Sequence, residues 1–213
     1  MKISAILLII FFAISLVSAL ALGYFVGPFG ATDSKLISFQ AVAITNNGNG
    51  VLVPFQIKLS PGNGKILVNV NSNTYSTDSD RSLQIAKFAA EKYLGKSLNN
   101  FNIELDSLNP IAEQVSGMSA TTLFSSAIVA DYLGVKIPSN IAVSATINTD
   151  GTLGPVGGID EKILAATASG KKFFLVSENQ QIANLNDLNK NIQIVRENDS
   201  NQAINFILNS KSA

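Results

Sequence analysis

The pattern of apolar and polar positions separates an uncharged N-terminal segment from a longer region of short, periodic segments. No charged residue occurs between Ile3 and Val26, and serines supply most of the polar side chains there. A helix of this length extends about 36 Å, which is enough to cross the hydrocarbon core of a bilayer. We therefore expect residues 1–26 to be an uncleaved membrane anchor or a secretory signal peptide.

The residues around the end of this segment leave both alternatives open. Small residues suited to signal-peptide cleavage occur at Val17-Ser18-Ala19 and at Ala19-Leu20-Ala21. The apolar stretch continues past both of these positions and only Lys2 is charged before it, which favours the anchor. Lys2 should stay on the cytoplasmic side, so the rest of the chain is expected outside the cytoplasm, either membrane-anchored or secreted. Residues 27–35 have the composition of a short linker.

Strand patterns open the remaining region, residues 36–213, which is long enough to form one domain with its own core. Residues 35–45 alternate between apolar and polar positions, and the sequence NNGNG at 46–50 is a strong hairpin signal. The next two apolar segments predict that an antiparallel meander continues. Pro54, within the first of them, predicts an edge strand or a bulge.

Helical spacing alternates with strand patterns over the rest of the chain. Leu83, Ala86, Ala90 and Tyr93 share one helix face, and Gly95 marks its C-terminal end. Further helices are predicted at 119–133, 159–170 and 200–208, and further strands at 101–105, 140–147, 171–177 and 191–196. The helix at 119–133 is apolar on nearly every side and should be central. The fold class predicted is α+β, with mixed α/β layers.

Composition restricts the chemistry, because the chain contains no histidine and no cysteine. Histidine-based catalytic triads, thiol nucleophiles, disulfides and imidazole zinc sites are therefore excluded. A general base must be a carboxylate, a lysine, a tyrosine or a water molecule. Fifteen basic residues balance fifteen acidic ones, and no basic block occurs, so we expect no nucleic-acid partner. We also expect neither a metal nor another cofactor.

Lys162 is the lysine whose position suggests a base. It shares a helix face with Ile159, Ile163 and Ala166, whereas the other lysines, Lys171 among them, mostly have polar neighbours or lie near predicted turns. Burial of an ammonium lowers its pKa, and a neutral lysine amine can accept a proton from a hydroxyl. The alternative is that the stem packs over the neighbouring isoleucines while the ammonium stays in water.

Ser119 is the candidate nucleophile, because it lies where a small-residue turn meets the predicted central helix. The free N–H groups and positive dipole of a helix N-terminus could stabilise an oxyanion beside this serine. Gly117 would allow a substrate backbone to approach closely. The alternative is that Ser119 only caps the helix. Ser125 and Ser126, further along the helix, are expected to hydrogen-bond to the preceding helical turn.

Two motifs together resemble a known family. SGMSA at 116–120, followed by GPVGGIDEKILAA at 154–166, is similar to the proteolytic domain of the Lon-type serine peptidases. The similarity extends over residues 36–197, from the opening strands to the strand and loop after the lysine helix. The resemblance implies a Lon-like fold and a serine-type endopeptidase. It is greatest to the membrane-associated branch that lacks an ATPase module.

The resemblance also implies roles for individual residues. Ser119 would be the nucleophile and Lys162 the general base of a Ser-Lys dyad. Ser144, at a position where the family usually has threonine, would hydrogen-bond the lysine. Backbone N–H groups from Gly117 through Met118 to Ser119 would form the oxyanion hole.

Three residues depart from the family pattern around the nucleophile. Met118 replaces a proline, Thr121 a glycine, and Ser116 an acidic residue. The alternatives are therefore a catalytically inactive Lon-like binding or assembly module, favoured if Thr121 blocks access to Ser119, and a Ser-Lys hydrolase acting on a non-peptide amide.

The main expectation for function is ATP-independent cleavage of polypeptides. The chain contains no GxxxxGK[ST] motif for binding a nucleotide, so we expect no ATP partner. Its substrates would be unfolded or membrane-adjacent polypeptides. The membrane would be contacted through residues 3–26, and the family allows a homo-oligomer.

Overall fold

A computed structural model describes residues 36–70, 77–108 and 118–210. These residues belong to one compact unit, Ser34–Ala213. The expected anchor at 1–26 and the linker lie outside the described residues, as does Gly117. Within the described ranges, no helix is both long enough and apolar enough to cross a membrane.

The described elements alternate along the chain much as the sequence predicts. The strands are β1 (Ile37–Ile44), β2 (Gly50–Pro61), β3 (Ile66–Val70), β4 (Phe101–Ser107), β5 (Ile141–Val143), β6 (Thr146–Ile147), β7 (Leu153–Gly154), β8 (Phe173–Ser177) and β9 (Gln193–Glu197). The α-helices are α1 (Thr77–Leu94), α2 (Thr121–Leu133), α3 (Ile159–Ala168), α4 (Leu185–Leu188) and α5 (Ser200–Asn209). The predicted mixed α/β class is confirmed.

The first sheet has the strand order β1-β2-β4-β3, which corrects the predicted meander in one respect. β1 and β2 form the expected antiparallel hairpin, but β3 pairs with β4, and the pairing is parallel. Parallel neighbours need a long crossover connection, and α1 lies between β3 and β4 in the chain. Periodicity identifies each of these strands but does not determine which neighbour it pairs with.

Pro54 lies in an interior strand, so the predicted edge position or bulge is wrong. It is paired in register with Gln40 of β1. Its carbonyl accepts a hydrogen bond from Leu108 N at 3.0 Å, just beyond the last β2–β4 pair, Phe55 with Ser107. Proline has no backbone N–H, and this side of Pro54 faces the end of β4, where the strand pairing requires no backbone donor.

The second sheet is parallel, in the order β5-β8-β9. The strand predicted at 140–147 is in fact two short strands in different sheets, since β6 pairs with β7 instead. Ser144 and Ala145 lie between the two. The short helix α4 was not predicted, because four residues are too few to show a helical period.

Two apolar clusters cover opposite faces of β5. Ile141, Val143 and Ala145 belong to the larger cluster, which contains α2. Ala142 belongs to the smaller cluster, with Ile163 of α3. Side chains alternate across a strand, so α2 and α3 lie on opposite sides of β5. The first ten residues of α2 are all buried, which confirms that it is the central helix.

Candidate active site

Ser119 lies in a single 3₁₀ turn, Met118–Ala120, immediately before α2. The N-cap residue of α2 is Ala120, and no side chain caps this helix. The interpretation of Ser119 as a helix cap is therefore wrong. Its hydroxyl group caps no helix N–H. The residue is half-buried and therefore retains access to solvent.

Hydrogen bonds join the Ser119 turn to the segment between β5 and β6. Ala145 N donates to Ser119 O at 3.0 Å. Thr122 Oγ1, in the first turn of α2, donates to Ala145 O at 2.8 Å. The predicted nucleophile Ser119 is therefore hydrogen-bonded to Ala145, the residue that directly follows the predicted supporting residue Ser144.

Ser144 carries a buried hydroxyl on the face of β5 that is turned towards α3. Its backbone N–H donates to Leu175 O at 3.0 Å and so extends the β5–β8 ladder. The residue is fully buried, and its Oγ has no hydrogen-bond partner within the described part of the chain. Because Ala142 faces α3, strand alternation places Ser144 on the same side. A buried hydroxyl without a partner is costly and is available to bond a further group.

Lys162 lies on the buried face of α3, as its spacing predicts. The buried residues of this helix are Ile159, Lys162, Ile163 and Ala166. Lys162 exposes 5% of its surface, so the core covers most of its side chain. Its Nζ forms no hydrogen bond or ion pair with any described residue. Burial lowers its pKa from the ordinary 10.5 and so favours the neutral amine.

The position of α3 is fixed by close packing against β2 and by a clamp at its first turn. Gly50, the first residue of β2, has no side chain, and a Cβ there would collide with the carbonyl of Glu161. Asp160 accepts hydrogen bonds from the backbone of Ala183 and Asn184. The base candidate therefore sits on an anchored helix.

The two departures from the family pattern beside Ser119 are accommodated in the interior. Thr121 is fully buried, and its Oγ1 donates to Met118 O at 2.5 Å, closing the 3₁₀ turn. Met118 Sδ accepts a hydrogen bond from Ser82 Oγ at 3.4 Å. Since Thr121 has no exposed surface, it does not project into the solvent beside Ser119.

An open groove runs beside the first turn of α3. Its volume is about 820 Å³, and its walls come from the first turn of α3, the loop after β8 and β9. Gln180 shapes this wall, because its side chain accepts from Val156 N and donates to Val156 O. An open groove of this kind can take an extended chain. Gln180 cannot be identified from periodicity, because a glutamine in a polar loop belongs to no regular apolar pattern.

A second buried lysine was also missed. Lys171, just before β8, exposes 6% of its surface, and burial lowers its pKa. Its position next to a predicted turn gives no helical signal for burial. The signal that could have found it is strand alternation, since Lys171 has the same parity as Phe173 and Leu175, which pack into the larger core.

Comparison with known proteins gives one family and several full-length relatives. The family model of the Lon protease (S16) C-terminal proteolytic domain matches residues 39–210. The Archaeal Lon protease of Archaeoglobus fulgidus is 23% identical over 144 residues, which cover 64% of this chain and 22% of the relative. Lon protease 3 of Sorangium cellulosum is 25% identical, with coverages of 62% and 16%. Lon protease of Nitrosococcus oceani is 30% identical, with coverages of 59% and 16%. The aligned stretch thus spans 16–22% of the length of these relatives.

Proposed function

Because this chain belongs to the Lon protease (S16) C-terminal proteolytic domain family, we propose that it is an ATP-independent endopeptidase with Ser119 and Lys162 as its catalytic dyad. The observation that carries this proposal is a largely buried lysine and a buried serine hydroxyl on the side of one apolar cluster. Lys162 shares the buried face of α3 with Ile163, and Ser144 shares its side of β5 with Ala142, which packs in the same cluster. The residue after Ser144 is hydrogen-bonded to Ser119.

Family membership confirms the resemblance given by the two sequence motifs and, with it, the class of serine-type endopeptidases. The roles of individual residues are our proposal. A lysine serves as base because the chain contains no histidine, and its lowered pKa leaves the amine neutral at a lower pH than an exposed lysine.

The proposed reaction proceeds through an ester of Ser119. The Ser119 Oγ attacks the scissile carbonyl carbon while Lys162 Nζ takes the hydroxyl proton. Backbone N–H groups at Gly117, Met118 and Ser119 stabilise the oxyanion of the tetrahedral intermediate. The C–N bond then breaks, and Lys162 returns the proton to the leaving amine. Water, deprotonated by Lys162, attacks the ester carbonyl carbon. The bond to Ser119 Oγ breaks, Lys162 returns the proton to this oxygen, and the new carboxyl terminus leaves.

Ser144 is assigned a positioning role in this scheme. In the complex with substrate, its hydroxyl oxygen accepts a hydrogen bond from the Lys162 amine, which leaves the nitrogen lone pair free to face Ser119. This contact would satisfy both buried polar groups at once, which is the physical support for the assignment.

We propose unfolded or membrane-adjacent polypeptides as the substrates. The open groove beside α3 is lined by none of Ser119, Ser144 and Lys162, so a polypeptide substrate is proposed from membership of a protease family. The sequence has no P-loop motif, so no step is assigned to ATP. The uncharged segment 3–26 supports a membrane anchor with the domain outside the cytoplasm, or secretion if the segment is cleaved.

The test is cleavage of casein by the purified chain without ATP. Ser119→Ala and Lys162→Ala should each reduce turnover by about a thousandfold or more, because each removes a member of one catalytic unit. Ser169→Ala and Lys172→Ala, at exposed positions after and near α3, are the matched controls and should keep wild-type turnover. Circular dichroism establishes that each variant is folded.

The same assay over a range of pH tests the base. Activity should rise with pH and level off above the lowered pKa of Lys162, since only the neutral amine accepts a proton. A rate that stays constant from acid to alkaline pH contradicts Lys162 as base. Absence of cleavage by the folded wild-type chain on every unfolded substrate indicates instead the inactive binding module.

A further inference from the structure

A second buried lysine lines a cavity away from the candidate active site. Lys171 precedes β8, whereas Ser144 follows β5, and these two strands are parallel neighbours. The two residues therefore lie at opposite ends of these two strands. The cavity beside Lys171 has a volume of about 230 Å³. It is separate from the groove beside α3, with which it shares no lining residue.

Among the described residues that line this cavity, none is a counterion for Lys171. Its Nζ donates to Gln40 Oε1 at 3.0 Å and to Ser139 O at 2.8 Å, and both acceptors are neutral. An ammonium has three N–H donors, so one remains. No other ionisable residue is present among the described residues that line the cavity. A buried cation without an anion is unfavourable, and burial lowers the pKa of Lys171 accordingly.

The remaining walls are largely apolar. Phe39 and Phe55 come from β1 and β2, Leu123 from α2 and Ile141 from β5. A dry cavity of about 150 Å³ holds a benzene molecule, so this cavity has room for a short alkyl or phenyl group together with a small polar head. Apolar walls with one cationic group match a ligand that has an anionic head and an apolar tail.

We propose that this cavity binds a monocarboxylate with a short apolar tail, with Lys171 as the partner of the carboxylate. Ammonium–carboxylate hydrogen bonds are among the stronger ones, and the ligand supplies the counterion that the described chain lacks. The same chemistry occurs in a free short-chain carboxylic acid and at the C-terminus of a peptide that ends in an apolar residue. The inference does not depend on the proposed protease activity.

Equilibrium dialysis of the full chain in a nonionic detergent tests this site with two probes. Hexanoate represents the free acid, and N-acetylleucine represents the peptide C-terminus. Saturable binding of either is expected and identifies the source of the ligand. Hexanamide, which has nearly the same shape without the charge, should bind at least tenfold more weakly to the unaltered protein.

Variants show whether Lys171 is the partner. Lys171→Met keeps the length of the side chain and removes its charge, so affinity for the bound probe should fall at least tenfold. Lys172→Met alters the exposed neighbouring lysine and should leave affinity unchanged. Failure of both probes to bind, or equal affinity for hexanoate and hexanamide, overturns the proposal. Because Ser119→Ala should bind the probes normally, loss of protease activity and failure of this site are separate results.

Discussion

At the scale of single residues, the candidate site is marked by polar groups that folding buries without giving them partners. Lys162 and Ser144 are both buried, and neither side chain has a hydrogen-bond partner among the described residues. Such groups lower stability and are retained where the surrounding packing holds them in place. Both residues lie on the side of the smaller apolar cluster, which contains Ile163 of α3 and Ala142 of β5, and we propose that they meet there.

Replacement of Ser144 should separate stability from activity. In the free domain the Ser144 hydroxyl has no partner among the described residues, and its bond to Lys162 is assigned to the complex with substrate. The free energy of unfolding of Ser144→Ala should therefore stay the same or rise by about 1 kcal/mol. The turnover number should fall by about tenfold, the factor that corresponds to one hydrogen bond of ~1.4 kcal/mol. Urea denaturation and peptide cleavage measure the two quantities.

Two further variants control this prediction. Ser177→Ala also removes a buried hydroxyl that has no described partner, but from β8. It should leave turnover unchanged. Ser144→Thr keeps the hydroxyl and should keep the wild-type pH profile, whereas Ser144→Ala should shift it. Equal turnover in Ser144→Ala and the wild type removes Ser144 from the mechanism.

At the scale of elements, the candidate site depends on how two helices are held against the sheets. α2 carries the Ser119 turn at its start and is tied to the β5–β6 segment through Thr122. α3 carries Lys162 and lies directly on the start of β2, where Gly50 leaves room for the backbone of Glu161. Neither contact is visible in the periodicity of either helix.

Gly50→Ala should therefore displace α3 and destabilise the domain. The added Cβ meets backbone and not a flexible side chain, so the helix itself must move. The free energy of unfolding should decrease by about 1–3 kcal/mol, the usual cost of overpacking. Gly157→Ala is the matched control, because a Cβ there meets nothing within 4 Å. Equal urea midpoints for the two variants would show that α3 does not depend on this contact.

At the scale of the whole domain, separate apolar clusters lie on the two sides of β5, and each cluster lies next to one buried lysine. The larger cluster contains the central helix α2, and the smaller one contains α3. Lys162 and Lys171 both have a pKa lowered by burial. The folded domain therefore binds fewer protons than the unfolded chain over the interval between each lowered pKa and the ordinary 10.5.

The free energy of unfolding should accordingly rise as the pH increases from the lowered lysine pKa values to 10.5. This gain in stability should be lost as the pH falls through the lowered pKa values. Lys162→Met should be more stable than the wild type near neutral pH, with a difference that disappears as the pH approaches 10.5. Urea denaturation at a series of pH values measures this difference. Lys172→Met should show no such convergence, and a constant offset for Lys162→Met contradicts the assigned burial effect.

The sequence alone determined most of the secondary-structure elements and the residue types available for catalysis. Period-two alternation identified β1 and β2, and three-to-four spacing placed Lys162 on the buried face of α3, because local periodicity records which side of an element faces the core. The absence of histidine and cysteine directed attention to lysine as base. The turn before the central helix identified Ser119 as a candidate, and the family resemblance identified Ser144.

Tertiary structure decided the pairings and contacts that depend on distant parts of the chain. β3 lies beside β4, Pro54 lies inside a sheet, and the predicted strand at 140–147 divides between two sheets. Lys171 becomes buried because residues far from it in sequence, Gln40 and Ser139, close around it. Periodicity describes the faces of one segment, whereas pairing partners, counterions and the packing of α3 on β2 depend on which segments come together.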